Sequence, residues 1–158
     1  MRLNTFRVDP DGYQRLLAWN THLSEGPLEP ALLTLVEARA SQINGCAFCL
    51  AMHLDDARET GIEQYKLDAL AAWRDVTSFD PRERAALALT EAMTRIADRG
   101  GVEDAVWDSA REQFDDAELT TLLQVIALIN AFNRINVTTE RSAEDYVEFK
   151  NRHAKPKT

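Results

Sequence analysis

Twice in this sequence an aspartate stands three residues ahead of a glutamate at the head of an apolar periodic run: Asp80-Pro81-Arg82-Glu83, and Asp115 with Glu118. An N-cap aspartate accepts a hydrogen bond from the backbone N–H three residues on, and the glutamate side chain accepts one from the cap N–H in return. Pro81 adds a residue whose fixed φ suits the first helical position. Helices are therefore predicted from Pro81 to the Gly100-Gly101 stop and from Asp116 to Val137. The rest of the chain keeps the same period. Asp9-Pro10 opens a first helix bearing Tyr13, Leu16, Leu17 and Leu23 ahead of the breakers Gly26-Pro27 and Pro30. Leu32, Leu33, Leu35, Val36, Ala40 and Ile43 then recur at helical spacing until Asn44-Gly45 supplies a left-handed ending. A third helix starts at about Cys46, runs Leu50, Leu54 and Ala57 along one stripe, and ends at Gly61. Residues 62–74 read as a short fourth helix and 102–113 as a further one, while the charged last dozen or so residues are expected to fray. With no strong period-2 run, the fold class predicted is all-α, of roughly six to eight helices.

The 158 residues match one ordinary domain, and a 45% hydrophobic fraction suffices for its core. Lys+Arg 18 against Asp+Glu 26 leaves a net charge of -8, which repels a phosphate backbone, so nucleic acid is not an expected partner. The first ten residues lack the apolar stretch of a secretory leader, and Leu119 to Phe132 is interrupted by Thr120, Thr121, Gln124 and Asn130. No membrane association is expected, and a cytoplasmic location is.

Both cysteines of the chain lie in Cys46-Ala47-Phe48-Cys49, followed by His53. Where a helix begins at Cys46, its free N–H groups and positive dipole end favour thiolate, which is the nucleophilic form. Residues four apart on a helix are neighbours, so His53 sits one turn beyond Cys49 and two beyond Cys46, placed to accept the Cys49 proton. A base of this kind works best with a second group to hold or feed it. Glu37, two turns before Asn44, reaches the level of His53 if the Asn44-Gly45 turn folds the two helices together.

Other readings of these residues exist. Buried cysteines often pack as small hydrophobes, and Glu37 alone is ordinarily a solvated helix residue. Zinc would need a fourth ligand beside Cys46, Cys49 and His53, from His22, His153 or a carboxylate, so no metal is expected. A thioredoxin-like domain would place Cys-x-x-Cys after a strand, which this sequence lacks. Asn130, Asn133, Arg134 and Asn136 form a second polar cluster; buried amides there must bond between helices or subunits, or else line the pocket.

The stretch Leu35-Val36-Glu37-Ala38-Arg39-Ala40-Ser41-Gln42-Ile43-Asn44-Gly45-Cys46-Ala47-Phe48-Cys49-Leu50-Ala51-Met52-His53 resembles the core of the AhpD-like (alkylhydroperoxidase D-like) group of the carboxymuconolactone decarboxylase family. The similarity continues through Glu83 to Ala92 and through Ile129-Asn130-Ala131-Phe132-Asn133-Arg134, covering most of the chain. It implies a single AhpD-like domain over residues 1–158 with its core motif at 37–53, an all-α fold assembled as a homotrimer or hexamer, and a thiol peroxidase acting on hydroperoxides. By that likeness Cys49 attacks the peroxide, Cys46 resolves the sulfenic acid into a disulfide, and His53 with Glu37 relays the proton. The helix-terminus argument, by contrast, favours Cys46 as the more acidic thiol.

Two departures stand out. The relay glutamate of the best-known peroxidases lies one turn further from the first cysteine, where this chain has Thr34, and those proteins carry a histidine at the position of Phe48. The lactone decarboxylases of the family do not rely on Cys-x-x-Cys, so decarboxylation is not what these residues suggest. Reducing the disulfide calls for a lipoyl- or thioredoxin-type dithiol partner, with no organic cofactor. Competing readings are a non-catalytic redox switch or assembly module, and a general thiol–disulfide oxidoreductase.

Overall fold

The computed structural model describes residues 1–153, the side chains of Arg152 and His153 excepted. The His153 imidazole considered above as a zinc ligand lies outside the described residues, as does the part of the expected fraying that falls on 154–158. The described chain is all-helical: α1 (Thr5–Val8), α2 (Pro10–Ser24), α3 (Pro30–Asn44), α4 (Ala47–Glu59), α5 (Gln64–Ala69), a 3-10 turn (Leu70–Asp75), α6 (Pro81–Thr94), α7 (Ile96–Arg99), α8 (Asp104–Gln113), α9 (Asp116–Thr138) and α10 (Ala143–His153). No helix among the described residues is long and apolar enough to cross a membrane.

Both capping boxes form. Asp80 accepts the Glu83 N–H at 2.8 Å and Glu83 accepts the Asp80 N–H at 2.9 Å, with the same exchange between Asp115 and Glu118. Several sequence expectations need correction. The helix from Pro81 ends at Thr94, because Arg95 leaves helical geometry, and a separate α7 carries the chain to Gly100. Residues 62–74 are not one helix: α5 passes into a 3-10 turn in which Ala72 is non-helical. The tail is ordered as α10 up to His153, because Tyr146 Oη and Lys150 Nζ both donate to Asp55 of α4, at 2.8 and 2.6 Å. The helix count exceeds six to eight through short elements such as the four-residue α1 and α7.

Helix α3 is the centre of the fold, packed by α4, α6 and α9. Leu35, Val36, Ala38 and Ala40 are fully shut from solvent there. One core cluster joins α3 to Leu89 of α6 and Leu122 and Ile126 of α9, and another joins it to Leu70, Trp73 and Leu87. Each such aliphatic side chain stabilises the fold by roughly 1.5–3 kcal/mol. Buried charge is matched: Arg39 of α3 donates Nε and Nη2 to Glu91 Oε1 at 2.9 and 2.6 Å, and Trp73 Nε1 adds a third bond at 2.9 Å. Burial pushes the Glu91 carboxyl up, but the bonds from Trp73, Arg74 and Arg39 outweigh it and hold it below the usual range.

Amides lock α9 against α3. Asn44 Nδ2 reaches both Asn130 Oδ1 and Asn133 Oδ1 at 2.9 Å, and Asn133 Nδ2 donates to Ser41 Oγ at 3.1 Å. This register brings the last turn of α9 beside the first turn of α4.

Candidate active site

Gly45 adopts φ 67°, the left-handed conformation that only glycine takes freely, and the Cys46 N–H turns back to Ser41 O at 3.0 Å. The chain thus reverses without a loop, and α4 lies along α3. Cys46 is the N-cap of α4, its Sγ accepting the Cys49 N–H at 3.4 Å. The two cysteines are joined as a disulfide, with Cα atoms 5.4 Å apart, and each is 1% exposed.

A cavity of about 400 Å³ opens between α2, α3, α4 and α9. Cys49 borders it and Cys46 does not. The helix start explains the difference: the cap residue turns its sulfur onto the helix N–H groups, whereas the residue one turn on points sideways toward α9. There Asn136 donates Nδ2 to Cys49 Sγ at 3.2 Å. The amide is 3% exposed, and its Oδ1 is buried without a hydrogen-bond partner.

Glu37 and His53 meet directly across the α3–α4 seam. Oε2 of Glu37 lies 3.3 Å from His53 Nδ1, and Asp56 Oδ2, one turn further along α4, lies 3.7 Å from the same nitrogen. Neither ring nitrogen of His53 is in an aligned hydrogen bond. Burial disfavours charge on both partners. It raises the Glu37 carboxyl to about 8 and lowers the His53 imidazole to about 4, the latter against the opposing pull of Asp56. At neutral pH the pair is therefore a protonated carboxyl beside a neutral imidazole, not an ion pair. What solvent access Glu37 retains is toward the cavity. A buried acid and base within proton-transfer reach, one turn from a cysteine, can take a proton from a thiol and return it to a leaving oxygen.

The residues singled out from the sequence converge: Cys49, His53 and Glu37 share one cavity, and Cys46 backs it through the disulfide. Thr34 borders the same cavity one turn before Glu37, its Oγ1 bonded to Pro30 O at 2.8 Å. Phe48 packs edge-on against Tyr146 at 5.7 Å, seating α10 on α4. In the asparagine cluster, Asn130 and Asn133 bond between helices, while Asn136 lines the pocket. His22 is exposed on α2 and does not border the cavity.

Several cavity residues carry no functional signal in the sequence, among them Phe6, Tyr13, Asp56 and Arg141. In the sequence Tyr13 belongs only to an apolar helix face. Arg141 carries no motif; it arrives because Glu140 takes a left-handed φ of 54° and the Arg141 N–H closes onto Asn136 O at 2.9 Å, ending α9. Asn136 is legible in the sequence as part of the polar cluster, since it follows Asn133 at helical spacing, and of the two roles open to that cluster it takes the pocket-lining one.

Residues 10–92 match the carboxymuconolactone decarboxylase family. Among curated proteins the chain is 32% identical over 136 residues to the uncharacterized protein YdfG of Bacillus subtilis, covering 86% of this chain and 92% of that one. It is 34% identical over 119 residues to the uncharacterized protein YnjA of Escherichia coli, covering 75% and 64%. Among solved structures it is similar to a protein of unknown function from Agrobacterium tumefaciens, provisionally described as the antioxidant defence protein AhpD. That likeness has a TM-score of 0.85 and 31% identity over 89% of this chain and 96% of the other. An uncharacterized peroxidase-related protein from Ralstonia eutropha, described as an alkylhydroperoxidase AhpD core, shares the fold with a TM-score of 0.75 and 21% identity, covering 90% and 77%.

Proposed function

Because the chain belongs to the carboxymuconolactone decarboxylase family as an AhpD-like member, we propose that it is a thiol-dependent peroxidase in which Cys49 attacks, Cys46 resolves, and His53 with Glu37 moves the proton. The observation that carries this reading is that Cys49, and not its partner, faces a cavity shared with the His53–Glu37 pair. The helix-end preference for Cys46 is outweighed, since an attacking sulfur must reach substrate and Cys46 lies behind the cavity wall.

In the reduced protein the Cys49 proton passes to His53, and the thiolate attacks the distal oxygen of a hydroperoxide. The O–O bond breaks, its electron pair leaves on the alkoxide, and that oxygen takes a proton from the His53–Glu37 pair to depart as alcohol. Cys49 is now a sulfenic acid. The Cys46 thiol attacks its sulfur, the S–O bond breaks, and the hydroxide leaves with a proton as water, forming the Cys46–Cys49 disulfide. An external dithiol of lipoyl or thioredoxin type returns two electrons and two protons and is itself oxidised to a disulfide. Asn136 supports the attacking sulfur, because an N–H donor favours thiolate over thiol.

The test is steady-state loss of cumene hydroperoxide with excess dihydrolipoamide. Wild type should turn over many equivalents; Cys49→Ser and Cys46→Ser should abolish turnover, and His53→Ala should reduce it at least about a hundredfold, the usual weight of a positioned acid–base group. A single stoichiometric oxidation with every dithiol tried would replace the peroxidase with a redox switch. Fast disulfide exchange with poor peroxide reactivity would instead indicate a general oxidoreductase.

A further inference from the structure

Arg141 borders the cavity of Cys49 in otherwise largely apolar company, including Leu33, Ile129 and Phe132. Its guanidinium lies 3.6 Å from the ring centroid of Phe48 and 4.5 Å from that of Phe6. Nε is buried with no hydrogen-bond partner, and none of the ion pairs among the described residues includes Arg141. Asp145, one turn along, instead accepts the Ser142 N–H at 2.8 Å with Oδ2. Tyr13, also on the cavity, stands close enough for the guanidinium to act on its hydroxyl. Burial draws Arg141 below its ordinary proton affinity, against the influence of Tyr13 and Asp145.

A partly buried cation with no carboxylate in ion-pair contact is costly, and aromatic faces and the more distant Asp145 recover only part of the lost hydration. The guanidinium retains donors in a planar fork that matches a carboxylate. Its position is fixed by the backbone, through the left-handed Glu140 and the Arg141 N–H bond to Asn136 O. Asn136 in turn bonds Cys49. One helix end therefore sets the spacing between a cationic anchor and the sulfur.

We propose that the cavity binds an amphipathic carboxylate, with its apolar body among Leu33, Ile129 and Phe132 and its carboxylate on the guanidinium of Arg141, assisted by the Tyr13 hydroxyl. Combined with the peroxidase reading, on which this part rests, the substrate is an organic hydroperoxide that carries a carboxylate. Burial keeps Glu37 neutral, so Asp56, beside His53, is the carboxylate on the cavity that opposes such a ligand.

The test reads binding without turnover. Calorimetry on the disulfide form compares decanoate with decanol, which has the same apolar tail and no charge. Decanoate should bind at least about tenfold more tightly, as one charge-assisted contact gives. Arg141→Gln should bring the two ligands level, and Arg141→Lys should keep part of the preference. Equal affinities in wild type, no measurable decanoate binding, or a preference that survives in folded Arg141→Gln would overturn the proposal. The wild-type comparison stands even if the variant fails to fold. Turnover of cumene hydroperoxide judges the peroxidase reading separately. Turnover with equal binding removes the carboxylate site alone, and a decanoate preference without turnover removes the peroxidase alone.

Discussion

Asn136, near the end of α9, holds the sulfur of Cys49 on α4 through a 3.2 Å hydrogen bond across 87 residues of sequence. It joins the helix that packs the core to the helix that carries the dithiol. It also contributes the carbonyl that stops α9 and sets the place of Arg141.

Replacing this amide separates its chemical role from its structural one. In Asn136→Leu the reduced protein should react with iodoacetamide about tenfold more slowly at neutral pH, since a charge-assisted hydrogen bond of this kind contributes about 1.5–3 kcal/mol. Stability should change little, because the substitution also removes the unpartnered Oδ1 from the interior. An unchanged alkylation rate would mean that the bond does not favour thiolate.

The Glu37–His53 pair predicts a particular pH profile of stability. Glu37 is raised from 4.5 to about 8, so the folded state holds a proton that the unfolded chain has lost, and stability falls with rising pH across that window. His53 is lowered from 6.5 to about 4, so the unfolded chain holds the extra proton and stability rises between those values. The two slopes cancel from about pH 4.5 to 6.5. Above that Glu37 acts alone, and urea unfolding should show a loss of about 2 kcal/mol between pH 6.5 and 8. Glu37→Gln should flatten this decline; a decline of the same size in that variant would assign it elsewhere.

Glu91 is the sole carboxylate bonded by Arg39, Trp73 and Arg74 together among the described residues. Glu91→Ala leaves Arg39 charged and 9% exposed, and should cost about 3–5 kcal/mol in chemical denaturation. The double variant Arg39→Met with Glu91→Leu should recover much of that loss, because the stranded charge is gone. If the double variant is as unstable as the single, the network contributes through geometry and not through charge compensation.

Glu140 sits at a left-handed φ of 54°, where a side chain is strained and glycine is not. Its exposed ion pair with Arg2, at 2.6 Å, contributes little in compensation. Glu140→Gly should therefore leave the melting temperature unchanged or raise it, with a gain of up to about 1 kcal/mol. A clear fall would show that the Arg2 contact secures the N-terminal segment more firmly than an exposed pair ordinarily does.

The helices and the dithiol motif were legible because their signals are local. Asp80 and Asp115 act on N–H groups three residues away, and Gly45 needs no partner to turn left-handed, so caps and stops can be read from adjacent letters. The helical period likewise placed Cys49 and His53 one turn apart before any packing was known. The breaks at Ala72 and Arg95 were not legible, and neither was the order of α10, which depends on Asp55 lying under Tyr146 and Lys150.

The site divides in the same way. The sequence alone supplied the thiols, imidazole and carboxyl of the candidate site, Cys46, Cys49, His53 and Glu37, and put three of them along one helix start. Only the tertiary structure decided that Cys49 faces the cavity and Cys46 does not, that burial keeps both Glu37 and His53 uncharged, and that Asn136 and Arg141 join them. The physical reason is range. Helix geometry is set by hydrogen bonds spanning four residues, whereas desolvation and a contact across 87 residues exist only once α9 has packed against α3 and α4.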